Sequence, residues 1–139
     1  MPADENKQIV RKFIDEVLNR QRMELVDELL ASDYELRFPG APGPLNREAF
    51  PAFSAVFPAA FPDFRITVES LIAEGDEVAV RFVLNGTHKG EFMGVPATGK
   101  KVEVPGHVFY RIRGGKIVDD RPIFDRALML EQLGVMQAS

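Results

Sequence analysis

Two histidines, His88 and His107, and no cysteine are the whole supply of imidazole and thiol in this chain of 139 residues. Without cysteine there is no thiol nucleophile, no disulfide framework and no thiolate zinc site. No close His–acid–His spacing replaces one, so neither a metal nor another cofactor is expected. The serines are Ser32, Ser54, Ser70 and Ser139, and none sits in the sharp Gly-flanked turn that exposes a nucleophilic hydroxyl. His107 falls among alternating apolar residues, where an imidazole is either a satisfied core or interface ring or the acid/base of a cavity. His88 lies near a strand end and reads as a solvated or locally hydrogen-bonded ring.

Two motifs invite chemistry and fail on their own terms. Gly94-Val95-Pro96-Ala97-Thr98-Gly99-Lys100-Lys101 nearly spells a phosphate loop. That loop needs Ser or Thr after its Lys and a helix whose N–H groups face the phosphate. Here Lys101 takes the last place, Pro96 removes a donor and a strand follows. Asn85-Gly86-Thr87 fits the glycosylation signal, but it reads as a strand with a Gly-marked bend.

Composition narrows the partners. Hydrophobic residues make up 45% and charged residues 27%, with eleven Phe and no Trp, so a packed, Phe-rich interior is affordable. A chain this long buries roughly 68–70% of its unfolded surface. One domain over residues 1–139 is expected. The formal charge of −4 repels nucleic acid, and Lys100 and Lys101 are only a pair. The opening Met-Pro-Ala-Asp-Glu-Asn-Lys lacks the apolar core of a signal peptide, and no run approaches the ~18 apolar residues of a membrane span. The expected setting is cytoplasmic, with neither nucleic acid nor membrane as partner.

The elements follow from periodicity. Ile9, Val10, Phe13, Ile14, Val17 and Leu18 recur at helical spacing and predict a helix over 5–19. Met23, Leu25, Val26, Leu29 and Leu30 mark a short second helix. Residues 34–38 alternate like a strand, and a Pro/Gly loop over 39–44 follows. Asn46 is placed to cap a third helix over 46–60, whose Phe50, Phe53, Val56 and Phe57 form one stripe. Strands are expected over 64–73, 77–89, 101–113 and 116–124, with turns at Glu74-Gly75-Asp76 and Gly114-Gly115. A closing helix over 125–133 ends at Gly134. Helices followed by a long meander give an α+β fold, with helices packed on one face of a curved antiparallel sheet. The space between them is the default site for a small hydrophobic molecule, with the Phe stripe turned toward it.

Three stretches carry a resemblance. Residues 86–102, from Gly86-Thr87-His88 to Lys101-Val102, are similar to the hairpin segment of SnoaL-like proteins. Phe109-Tyr110-Arg111-Ile112-Arg113-Gly114-Gly115-Lys116-Ile117-Val118 resembles their central strand–turn–strand. Asp125-Arg126-Ala127-Leu128-Met129-Leu130-Glu131-Gln132-Leu133-Gly134 resembles their closing helix. With the opening helices, the likeness spans nearly the whole chain. It implies the NTF2-like cone, a curved sheet wrapped around three N-terminal helices with a short C-terminal helix. It also implies a homodimer, for which Val78, Val80 or Phe82 would supply an apolar outer face. Polyketide cyclases of this group close a ring by an intramolecular aldol reaction without metal or cofactor. One acid/base suffices there, because neighbouring carbonyls already activate the substrate.

The same resemblance shows departures. The family pattern Trp-Asp-x-x-Asp falls on Arg121-Pro122-Ile123-Phe124-Asp125, so Pro122 occupies the acid/base place. The usual second polar residue falls on Val108. Ketosteroid isomerases, of the same fold, use a carboxylate just before a Pro, and here Phe38 precedes Pro39. Limonene-epoxide hydrolases need an Asp–Arg–Asp set, for which Arg81, Asp120 and Asp125 are the raw material. By elimination Asp120 is the first candidate acid/base, because residues 118, 120, 122 and 124 share one strand face. His107 is the second. A bulge at Pro122 or near Gly106 would decide which of them turns inward. Asp125 is read as the cap of the closing helix. Phe13, Phe38, Phe53, Phe57, Arg81, Tyr110 and Phe124 are the expected substrate-binding residues, with Arg81 holding an enolate or carboxylate. The alternative is a non-catalytic small-molecule binder, or a dimerisation module of the same fold.

Overall fold

A computed structural model of the chain describes residues 2–136. Helix α1 (Pro2–Lys12) runs directly into a π-helical stretch (Phe13–Asn19). The expected single helix is thus continuous but widens where it meets the sheet. Asn19 fastens its end to the sheet, donating to the Ile66 carbonyl at 2.9 Å and accepting from the Ile66 N–H at 2.7 Å. A 3₁₀ turn (Met23–Leu25) and α2 (Val26–Leu29) follow, then strand β1 (Leu30–Leu36). The third helix is shorter than expected. Leu45–Asn46 instead forms β2 by pairing with Glu35 and Leu36, and α3 spans Phe50–Ala60. The Asn46 carboxamide accepts from the Ala49 N–H at 2.9 Å, so it caps the turn before the helix.

Strands β3 (Arg65–Glu74), β4 (Glu77–Thr87), β5 (Lys101–Arg113) and β6 (Lys116–Phe124) follow the expected bounds closely. Helix α4 (Arg126–Leu133) closes the fold. Asp125 caps it by accepting from Leu128 N–H at 3.0 Å, and Gly134, at φ +80°, ends it in the left-handed conformation that glycine adopts freely. Gln132 pins α4 to β5 by exchanging two hydrogen bonds with the Glu103 backbone, at 2.8 and 3.0 Å.

The sheet order is β2-β1-β6-β5-β4-β3. It is not purely antiparallel: β1 lies parallel to β6, with Leu36 opposite Asp120. Strand β5 alternates strictly between exposed and buried residues. Its inner set, from Val102 to Ile112, packs with the inner set of β4, Val78, Val80, Phe82 and Leu84. These β4 residues therefore face the helices and do not form the apolar outer face expected of Val78, Val80 and Phe82. The outer face carries Ala79, Arg81 and Val83 from β4 and Phe109 from β5. Burial of each large apolar side chain contributes roughly 1.5–3 kcal/mol, and Phe13, Phe50 and Phe61 are wholly enclosed. Among the described residues no helix is long and apolar enough to cross a membrane.

Candidate functional site

Between the helices and the inner sheet face lies a cavity of about 90 Å³. Ile14 and Leu18 from the π stretch and Phe50, Phe53 and Phe57 from α3 form its helical wall. Leu36, Phe82, Leu84, Val108, Tyr110, Pro122 and Phe124 are among the residues of its sheet wall. Phe38, Phe53, Phe57 and Phe124 are half-buried and stack edge-on or tilted, with Phe38 lying 4.8 Å from Phe53 and 5.8 Å from Phe124 between ring centroids. Val56, the remaining member of the predicted stripe, points outward and is exposed.

Asp120 lines this cavity and is only 4% exposed. What turns it inward is a bulge at neither expected position. Around the Gly114-Gly115 turn, Arg113 faces Lys116 and Ile112 faces Ile117; beyond it Arg111 faces Asp119 and Tyr110 faces Asp120. Val118 is the extra residue. Without it the register of the turn would set Asp120 opposite Phe109, on the outer face, since a one-residue slip exchanges the two faces of a strand. Residues 120, 122 and 124 thus share the inner face as expected, while Val118 is left out of the alternation. Pro122 lies beyond the last β1–β6 pair, where β6 has only one neighbour and a missing N–H is tolerated.

The surroundings of Asp120 are largely apolar. Burial pushes its carboxyl up to about 7, the Tyr34 hydrogen bond opposes that, and the charge of Asp119 adds to it. Tyr34 Oη donates to Asp120 Oδ2 at 2.7 Å. Burial, followed by the nearby Asp120 charge, raises both Tyr34 and Tyr110 well above the ordinary phenol value, so both hydroxyls stay protonated. Tyr110 stands beside Asp120 on the same face, lines the cavity and has no hydrogen-bond partner among the described residues. A carboxyl poised near neutrality beside a free phenolic donor can take a proton from carbon and hold the oxygen that gains the charge.

The other candidates divide by face. Phe38, Phe53, Phe57, Tyr110 and Phe124 line the cavity. Phe13 stands behind them, its ring 5.5 Å from Phe50 and 6.0 Å from Tyr110. His107 and Arg81, expected at the site, instead lie opposite one another on the outer face, both exposed. The β4–β5 register runs unbroken through Gly106, so no bulge brings either inward. Arg81 pairs instead with Glu69 at 3.6 Å. His88 is fully buried, its Nδ1 accepting from the Thr98 N–H at 3.2 Å, and its Nε2 has no partner. Among the described residues no three His, Asp or Glu side chains gather as a metal ion would need.

Two residues of the site were not foreseen. Tyr34 shows in the sequence only as a member of an alternating strand, and its pairing with Asp120 depends on the β1–β6 contact. Ser54 lines the cavity at 4% exposure, a single hydroxyl within the Phe stripe of α3.

A model of the SnoaL-like polyketide cyclase family matches residues 8–133. The crystal structure of wild-type IdmH from Streptomyces antibioticus, proposed to be a polyketide cyclase, is 36% identical, with TM-score 0.83 over 94% of this chain and 99% of that one. A SnoaL-like protein from Jannaschia sp. CCS1 superposes with TM-score 0.88 at 26% identity, over 96% of this chain and 94% of that one. AclR from Streptomyces galilaeus, proposed to be a hydroxylase, does so with TM-score 0.84 at 26% identity, over 98% and 89%. The sequence finds no match among curated proteins. The fold thus carries more than one proposed reaction, and the cavity residues must distinguish them.

Proposed function

Since the chain belongs to the SnoaL-like polyketide cyclase family, we propose that it is a cofactor-independent cyclase or isomerase acting on a small apolar molecule with an enolisable position, with Asp120 as its acid/base. The observation that carries this reading is the Asp120 carboxyl, held by Tyr34 at 2.7 Å and facing a largely apolar cavity whose other side-chain polar groups are the Tyr110 and Ser54 hydroxyls. Ionised, it removes a proton from carbon flanked by carbonyls, leaving an enolate and a neutral Asp120. The enolate carbon attacks a second carbonyl of the same molecule, and the alkoxide formed takes the proton back. Nothing is consumed and the base is regenerated. The Tyr110 hydroxyl is the donor for the enolate oxygen.

Pro122 occupies the place where the family's acid/base falls. Asp120 lies two residues earlier on the same face, about 6.6–6.8 Å along the strand, so the base reaches the same cavity from a neighbouring position. Small β-dicarbonyls in D₂O test the reading, with methylene exchange and ring closure followed by NMR. Exchange accelerated by the protein and lost in Asp120→Asn supports it. Binding without any exchange, under conditions where Asp120 is ionised, points to the non-catalytic binder instead.

The outer sheet face supports a homodimer. Ile72, Phe109 and Ile123 are 65%, 53% and 66% exposed there. Large side chains of this kind on a sheet face mark an association surface, and a second copy meets it through the same patch.

A further inference from the structure

We propose that Ser54 is a ligand-binding residue, donating a hydrogen bond to a carbonyl oxygen of the molecule in the cavity, and that Gln21 orients it for that role. The inference rests on the cavity being a ligand site, as in the reading above, but not on Asp120 being a base.

A buried serine inside a helix can spend its proton on the carbonyl four residues earlier. Ser54 makes no such bond to Phe50; its hydrogen-bond partner among the described residues is Gln21 Nε2, at 3.4 Å. The same amide nitrogen lies 2.9 Å from the Leu18 carbonyl and 3.5 Å from that of Val17. Two carbonyls can only accept, so the NH₂ end of the amide must face them, and therefore faces Ser54 as well. One of the two amide protons goes to Leu18, and of the remaining two acceptors Ser54 Oγ is the nearer; accepting there, Ser54 has its own proton left to donate. A buried hydroxyl with an unspent proton calls for an acceptor.

Gln21 supplies a second, independent observation. Its φ is +56°, at the end of the helical segment, where glycine is the usual residue. A non-glycine residue in that conformation carries a backbone cost, so contacts of its side chain must hold it there. Capping accounts for its bond to Leu18. It does not account for the reach to Ser54 on another helix.

Ser54 stands on the helical wall, while Asp120 and Tyr110 stand on the sheet wall. A ligand that satisfies both walls has one oxygen near Tyr110 and a second near Ser54, with apolar surface between. The substrate class is a compact molecule bearing two separated carbonyls.

The test uses an isosteric pair, cyclohexanone and methylenecyclohexane, titrated into the full chain and followed by amide chemical shifts in NMR. Ser54→Ala should weaken cyclohexanone about tenfold, the scale of one buried hydrogen bond, and leave the hydrocarbon within about twofold. Gln21→Gly keeps the backbone conformation but removes the amide. It should weaken the ketone severalfold and again spare the hydrocarbon. Equal losses for both ligands in Ser54→Ala, no loss for either, or no binding of either ligand to the wild-type chain would overturn the proposal. So would ketone binding lost in Tyr110→Phe but kept in Ser54→Ala, because the acceptor site would then lie on the sheet wall. Failure of Asp120 as a base appears separately, as methylene exchange that survives Asp120→Asn, and leaves these affinities unchanged.

Discussion

Tyr34 donates a hydrogen bond of 2.7 Å to Asp120 from 86 residues away in the sequence. The bond exists because β1 and β6 lie side by side in parallel and because Val118 bulges out of β6. The first feature brings the phenol to the strand; the second turns the carboxyl toward it. Tyr34 is fully enclosed, with Phe50 packed edge-on at 6.2 Å, so its hydroxyl is held at a fixed height against the carboxyl. It acts on the cavity through Asp120 and is a positioning residue.

Tyr34→Phe removes the interaction that lowers the Asp120 pKa while burial and Asp119 continue to raise it. The carboxyl should then ionise above its present value of about 7. Methylene exchange in the variant should fall at neutral pH and recover at higher pH, so that the whole rising limb of the rate profile moves alkaline. A purely structural role for Tyr34 would lower the rate at every pH and leave the midpoint in place.

Asp120 also imposes a cost on the fold. Its carboxyl titrates near 3.8 when unfolded and about 7 when folded. Between those values the folded state binds the extra proton, so stability falls as pH rises from about 4 to 7 and the full penalty persists above. That span, at about 1.4 kcal/mol per pH unit, amounts to something on the order of 4 kcal/mol. Asp120→Asn keeps an acceptor for Tyr34 without the charge. Urea unfolding should find the variant more stable than wild type by a few kcal/mol at pH 8 and about equal to it at pH 4. A variant less stable at both pH values would contradict the assigned burial.

Strict alternation made the β5 faces legible: Val108 and Tyr110 inward, His107 outward unless a bulge intervened. The hairpins were equally readable, because Gly75, Gly114 and Gly115 all adopt positive φ where turns were expected. The bulge at Val118 was not, since nothing in Lys116-Ile117-Val118-Asp119-Asp120 distinguishes an extra residue from a paired one. The β1–β6 pairing was hidden for a different reason. It joins distant segments through backbone bonds that any sequence could make, so Tyr34 carried no mark of its partner. Arg81 was misplaced because both faces of β4 carry apolar residues, leaving its side undetermined. Ser54 was passed over because a lone hydroxyl on an aromatic stripe carries no pattern.

Gly106 sits where the Phe82 ring crosses β5. A Cβ there would lie 2.5 Å from Phe82 Cζ and 2.8 Å from the Ile123 carbonyl oxygen. Gly106→Ala should therefore cost about 1–3 kcal/mol and push Phe82, a cavity-lining ring, toward the ligand space. Thermal unfolding should fall by several degrees and cyclohexanone should bind less tightly. An unchanged melting temperature would show that Phe82 moves aside freely.

The dimer reading is checked by light scattering at micromolar concentration. The wild-type chain should give twice its mass of 15.5 kDa. Phe109→Glu should give the monomer with its circular dichroism intact. A wild-type mass near 15.5 kDa would refute the reading.

The central claim is that Asp120 is the base of this cavity, and methylene exchange on a β-dicarbonyl in D₂O measures it most directly. The wild-type chain should accelerate exchange with a rate that rises through a midpoint near 7, where Asp120 ionises. Asp120→Asn should lose roughly 10²–10⁴-fold of that acceleration. A folded Asp120→Asn that exchanges the methylene at the wild-type rate would contradict the account.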